Sequence, residues 1–228
     1  MRQAHQAGEA MTDRIIIGTG PSLLQQIDHI QGLQRYGRAK LYGINNTYRD
    51  FDLDTWIACD PAWHKYFGQV YGTFRKVHWD KEICTRNNYE HIPGEWLPGL
   101  SLNPETISFG HSSGWQALNL AAHDCRPGDR ILLCGYDMTY RTGEARHYFG
   151  DLSEDVGEYP KPLRKWSKFD KGFNDGLLWD YRHIAKQVEA GEVAPIYNCT
   201  LDSAMRWFPF YDLEHLVEVE GSPPPRTR

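Results

Sequence analysis

Several short polar clusters in this 228-residue chain hold the residue types that handle phosphates, hydroxyls and protons. Gly18-Thr19-Gly20-Pro21-Ser22 stands between the β-branched run Ile15-Ile16-Ile17 and a segment with Leu23, Leu24, Ile27 and Ile30 at helical spacing. A strand, a turn and a helix N-terminus in that order offer backbone amides and a helix dipole to an anion. The cluster is neither G-x-G-x-x-G nor a P-loop with its Lys-Ser/Thr, so it carries no dinucleotide or NTPase fingerprint. Its plainer reading is a tight turn that needs glycine for backbone freedom. Asn45 and Asn46 end a second apolar run and offer paired amide donors and acceptors, suited to a base or ribose, or else to a turn. Asp60-Pro61 can either face a ligand or cap a helix with proline in the first turn.

His111-Ser112-Ser113-Gly114 opens another helical segment, where the hydroxyls and first amides make a second potential anion site unless Ser113 merely caps the helix. Gly110 to Gly114 fits the spacing G-x-S-x-G without the strand-to-helix elbow that gives that motif its meaning, which sets a serine hydrolase aside. Asp137, Thr139 and Tyr140 follow the apolar run Ile131-Leu132-Leu133-Cys134, and Ser203 follows the last one, Ala194 to Cys199. In Arg146-His147-Tyr148-Phe149-Gly150-Asp151 an imidazole and a carboxylate share one polar stretch, so His147 and Asp151 are the candidates for proton transfer. Lys161, Arg164, Lys165, Lys168 and Lys171 make a basic face, either solvated or clasping a phosphorylated donor.

Chemistry spread over so many short clusters needs elements that gather them. Strand signals at Ile15–Ile17, Leu41–Tyr48, Thr55–Cys59, Arg130–Cys134 and Ala194–Cys199 alternate with helical patterns after Pro21, over Ser113–His123 and over Leu177–Glu189. A short helix is expected near Ser203, and the aromatic, turn-rich stretch from His64 to Pro104 gives little periodicity. This alternation predicts an α/β, doubly wound, mainly parallel sheet, in which ligands sit at the carboxyl ends of strands, where these clusters fall. The expected division is a flexible leader over 1–12, one domain over 13–220 with a polar lid or loop over 141–171, and a disordered tail over 221–228.

Composition narrows the classes. The chain is 40% hydrophobic and 13% aromatic, enough for one full core, and 25 Lys+Arg against 30 Asp+Glu give a net charge of -5. The negative balance argues against a dedicated duplex-DNA surface, which takes its affinity from clustered cations on phosphates. No apolar run approaches a membrane span, and the polar N-terminus lacks a secretory core, so a cytoplasmic protein is expected. The five cysteines contain no C-x-x-C pair and are read as reduced thiols. No metal-ligand cluster is evident, and the composition is compatible with self-association.

Taken in order, G-T-G-P-S-L, N-N-T-Y, C-D-P, S-S-G before an Ala-rich helix, I-L-L-C-G-Y-D-M, H-Y-F-G and Y-N-C-T-x-x-S-A resemble the bacterial lipooligosaccharide sialyltransferases. They also look like the related phage and flagellar proteins grouped with archaeal 6-hydroxymethylpterin diphosphokinase. The resemblance covers Ile15 to Leu213, and its specificity lies in the order of the motifs. It implies a Rossmann-like fold binding a CMP-sugar, with Gly18, Gly20, Pro21 and Ser22 near the nucleotide and Asn45 on its cytidine or phosphate side. Asp60 stands where the family has Asn, Ser113 and Gly114 match its Ser-Gly, and Thr139 or Tyr140 takes the place of a phosphate-binding Tyr. The family's H-Y-x-G-H ends in the catalytic His, whereas this chain has Asp151 there.

The leading expectation is therefore a glycosyltransferase that moves a sugar from a nucleotide to an acceptor hydroxyl, with Asp151 or His147 as base. Gly18, Thr19, Gly20, Pro21, Ser22, Asn45, Asn46, Asp60, Ser112, Ser113, Gly114, Asp137, Thr139, Tyr140 and Ser203 would hold the nucleotide, with no cofactor required. Two rival readings stand beside it. A diphosphokinase acting on a pterin-like alcohol would need Mg²⁺, with Asp60, Asp137 and Asp151 as candidate ligands. A noncatalytic phage-type accessory protein, placed in a host cytoplasm, would keep the fold as a nucleotide-binding module.

Overall fold

A computed structural model describes residues 12–110, 112–139, 147–149 and 172–218. The run Ile15-Ile16-Ile17 lies within β1 (Asp13–Ile17), whose five residues are all buried, as a central strand covered on both faces requires. Its neighbours are β2 (Ala39–Ile44), β3 (Thr55–Ile57), β4 (Arg75–His78), β5 (Glu90–His91), β8 (Ile131–Cys134) and β9 (Ile196–Asn198). They form one sheet in the order β5-β4-β3-β2-β1-β8-β9, and every pairing is parallel. β6 (Gly94–Glu95) and β7 (Ile107–Ser108) make a separate small parallel pair.

Alternation along the strands divides the core into two layers. Ile16, Tyr42, Ile44, Ile57, Leu133 and Ile196 face α4 (Ser113–His123) and α5 (Gly172–Glu189), through Trp115, Leu118, Tyr181 and Ile184. Ile15, Ile17, Leu41, Trp56 and Leu132 face the other side. There they meet α1 (Ile27–Arg35), α2 (Pro61–Phe67), α3 (Lys81–Asn87) and α6 (Glu214–Glu218), through Ile30, Leu33, Trp63, Ile83 and Leu216. The doubly wound α/β expectation holds.

Several boundaries differ from the sequence reading. The helix after Pro21 is two elements, a 3₁₀ helix over Pro21–Gln25 followed by α1. The second strand stops at Ile44, because Asn45 adopts φ 48° and starts a 3₁₀ turn over Asn45–Arg49. No helix forms at Ser203, whose hydroxyl is engaged in the fold; the last described helix is α6, eleven residues on. The weakly periodic stretch from 64 to 104 contains the end of α2 and all of β4, α3, β5 and β6. Residues 1–11, 219–228 and most of the expected lid lie outside the described residues. No helix among the described residues is long and apolar enough to cross a membrane.

Candidate functional site

Strand order reverses between β1 and β8, and in an open α/β sheet the crevice at such a switch point is where ligands bind. The turns after these two strands are packed backbone to backbone. Gly18 N–H donates to Cys134 O at 2.7 Å and Gly20 N–H to Gly135 O at 2.9 Å. A Cβ on Gly18 would lie 2.5 Å from Gly135 O, and one on Gly20 would overlap the Asp137 carboxylate. The glycines are thus required by close approach to the β8 turn. Their amides are spent inside the fold, so of the backbone amides offered to an anion by the Gly18–Ser22 turn these two are already engaged.

The next amide meets a carboxylate of the chain itself. Asp137 accepts from Ser22 Oγ at 2.7 Å and from Ser22 N–H at 3.3 Å, so negative charge already sits at the opening of the 3₁₀ helix. Ser22 Oγ also lies 3.4 Å from Thr200 Oγ1, which brings in the tip of β9. Gln26 fastens the same three tips from below: its Oε1 accepts from Gly135 N–H at 2.9 Å and its Nε2 donates to Cys199 O at 2.6 Å. The sequence reading missed Gln26 as a positioning residue. Its signal was a glutamine on the apolar stripe of Leu23, Ile27 and Ile30.

A second relay joins β2, β3 and α4. Cys59 N–H donates to Ser113 Oγ, and Ser113 Oγ donates to Asn45 Oδ1, both at 2.9 Å. Asn45 O accepts from Trp56 Nε1 at 2.7 Å, which fixes the residue's left-handed backbone. Asn46 is buried and accepts from Trp63 Nε1 at 2.9 Å through its side-chain oxygen. Ser112, rather than Ser113, caps α4, by accepting from Trp115 N–H at 3.2 Å. Gly114 is packed under Tyr136, whose hydroxyl donates to Gly114 O at 3.0 Å and ties α4 to the β8 turn. Burial raises the pKa of the Tyr136 phenol well above its usual value and that of the Cys59 thiol to about 11, so both stay protonated at neutral pH.

His147 reaches this cluster from the polar segment. Its Nδ1 is 3.1 Å from Thr19 Oγ1, Tyr148 N–H donates to Thr19 O at 3.0 Å, and the His147 ring stacks on Phe149. Tyr148 Oη donates to Asp50 Oδ2 at 2.7 Å, which pins the segment to the end of the β2 turn; burial and this carboxylate together raise the phenol's pKa. Tyr148 is a second positioning residue that the sequence reading had not singled out.

The structure thus brings together Gly18, Thr19, Gly20, Pro21, Ser22, Asn45, Ser113, Gly114, Asp137 and His147. Two other candidates have work in the fold. Asp60 is the N-cap of α2, accepting from Ala62 N–H at 2.8 Å with Pro61 beside it. Ser203 is buried, and its hydroxyl donates to Tyr136 O at 2.5 Å. Thr139 follows Met138, which has φ 53°, at the open end of the β8 turn. Tyr140 and Asp151 lie outside the described residues. All five cysteines are unpaired thiols, and Cys134 and Cys199 are buried together beneath the tips.

Two clefts of about 440 and 650 Å³ lie at the opposite, amino-terminal end of the sheet. The smaller is rich in cations, two of which are engaged: Arg14 pairs with Asp129 at 2.9 Å and Arg75 with Glu90 at 2.7 Å. Tyr42 Oη donates to Asp124 Oδ2 at 2.6 Å, closing one wall. Their size does not outweigh the convergence of polar side chains at the carboxyl end, which is where this sheet type presents its chemistry.

The fold is that of a doubly wound α/β protein, and the cluster is a candidate site at the strand tips of its switch point. No family model and no curated protein sequence matches the chain. Among solved structures it is similar to the MAf glycosyltransferase from Magnetospirillum magneticum AMB-1, with a TM-score of 0.53 and 17% identity. That likeness covers 92% of this chain and 35% of the other, so this chain spans about a third of that protein's length. At this identity the shared property is the fold.

Proposed function

We propose that the chain is a glycosyltransferase that takes a sugar from a nucleotide donor of the CMP-sugar type and delivers it to an acceptor hydroxyl. The observation that carries this reading is the convergence of the β1, β2, β8 and β9 tips, α4 and His147 on one crevice. The fold shared with a glycosyltransferase and the order of the sequence motifs support it. Asn45 and the first amides of α4 are assigned to the nucleotide. Asn45 Oδ1 is held by Ser113, which leaves its amide nitrogen as the donor this reading assigns to the nucleotide. In the displacement, the acceptor oxygen bonds to the anomeric carbon as the bond from that carbon to the phosphate oxygen breaks. The hydroxyl proton passes to Asp151 or His147, and the nucleotide leaves with the bonding electrons.

Thermal-shift measurements with CMP, UDP, GDP and ATP, with and without Mg²⁺, test the donor class. A ligand at 100 times its dissociation constant adds about 2.7 kcal/mol, and CMP is expected to stabilise the chain without metal. Stabilisation by ATP only with Mg²⁺ selects the diphosphokinase, and no response to any nucleotide removes both enzymatic readings. Asp151→Asn and His147→Gln separate the candidate bases. The variant lacking the base is expected to keep its CMP shift and lose at least about a hundredfold in kcat, and equal activity in both variants rejects this assignment.

A further inference from the structure

Beside the crevice, two tryptophans stand in solvent close to buried aromatic residues. Trp179 on α5 is 53% exposed and Trp207, in the segment after β9, is 39% exposed, while Tyr181 and Phe208 are buried. The two exposed rings lie 5.9 Å apart at 72°, which makes an open aromatic corner. Both are held in place. Trp207 Nε1 donates to Leu178 O at 2.5 Å, and the Arg182 guanidinium lies 3.9 Å from the centre of the Trp179 ring. Beneath them, Tyr181 contacts both Trp115 and Phe208 edge to face. The corner is joined to the site by the chain leading into Trp207: Tyr136 N–H donates to Thr200 Oγ1 at 3.1 Å and Ala204 N–H to Asp137 O at 2.9 Å.

We infer that Trp179, Trp207 and Arg182 form a carbohydrate-binding platform that receives a carboxylate-bearing sugar of the acceptor. The acceptor role rests on the glycosyl-transfer reading; the platform itself does not. A pyranose ring has an apolar face of C–H bonds, polarised positive outward, and a rim of hydroxyls. The negative face of an indole complements the first, and a fixed planar donor complements the second. Exposed rings already ordered by a hydrogen bond and a cation lose little freedom on binding. Arg182 supplies the charge preference: its contacts are the Trp179 ring and His183 Nε2, at 3.3 Å, and no described carboxylate pairs with it. Its fork of donors matches a carboxylate in both shape and sign.

The test is binding of the full chain to immobilised oligosaccharides, neutral and uronate-containing, alongside its CMP thermal shift. Uronate-containing chains are expected to bind better than neutral ones. Trp179→Ala and Trp207→Ala each lower that affinity about tenfold, Trp207→Phe restores part of it, and Arg182→Gln removes the preference for acidic over neutral chains. Arg182→Gln removes no aromatic side chain, so it reports even if an alanine variant folds poorly. Absence of binding by the unaltered chain, equal binding by the variants, or a preference for neutral chains overturns the inference. The CMP shift is expected to survive all four substitutions. Binding of acidic chains without any nucleotide response would remove the transferase reading and leave the platform standing, and the reverse result would do the opposite.

Discussion

Gly18 carries no side chain because the carbonyl of Gly135 occupies the space in which one would grow. Gly18→Ala must separate two main-chain turns that are hydrogen-bonded to each other, and we expect a loss of about 1–3 kcal/mol. At this chain length that lowers the melting midpoint by about 2–4 °C per kcal/mol. Gly32, inside α1 with nothing within 4 Å of its virtual Cβ, is the control: Gly32→Ala is expected to raise stability by about 0.5–1 kcal/mol in the same melts. Equal effects at the two sites would reject the close-packing account. At this scale the sequence was half legible. A glycine pair after a β-branched strand announced a tight turn, whereas the partner that makes the glycine necessary lies more than a hundred residues away and leaves no mark in the local pattern. Thr19 and His147 meet for the same reason, through tertiary placement that spacing does not encode.

Short elements explain most of what the sequence concealed. α2 and α3 have seven residues each, two turns, too few for a hydrophobic period to repeat. α2 was foreshadowed only by its Asp60-Pro61 start. α3 is capped by Asp80, whose side chain accepts from Glu82 N–H at 2.8 Å and Ile83 N–H at 3.1 Å, and nothing but this cap marks its opening. Asp80→Ala is therefore expected to cost about 1 kcal/mol, read as a lower denaturant midpoint with an unchanged slope. No change in midpoint would mean that packing of Ile83 and Cys84 alone holds the helix. By contrast α4, eleven residues with Trp115, Leu118 and Ala122 on one face, was readable to the residue at both ends.

The molecule as a whole should be acid-sensitive in a way that two histidines set. His64 on α2 and His78 on β4 pack edge to face, 4.8 Å between ring centres, and each has a buried nitrogen without a hydrogen bond. Burial, then the neighbouring His64, lowers His78 to about 4, and burial lowers His64, against the pull of Asp60 and Asp80. The unfolded chain takes up protons near pH 6.5, whereas the folded chain resists until about 4, so stability present above pH 6.5 drains away as pH falls toward 4. From His78 the loss is at most about 3 kcal/mol. Urea midpoints should fall between pH 7.5 and 5, and His78→Asn should flatten that dependence; a flat profile in the unaltered chain would refute the account. The layered α/β plan was legible because buried parallel strands write long apolar runs, but the order of strands was not, since β1 pairs with both β2 and β8. Arg14 lies opposite Ile131, so one side of β1 waits for a partner about half the chain away. On a ribosome, β1 to β5 can zip together in the order they emerge, while the free edge of β1 stays open to wrong partners until β8 arrives. The crevice is accordingly the last part of the sheet's middle to exist, and a chain truncated before residue 131 would retain most of one wing without ever acquiring a site.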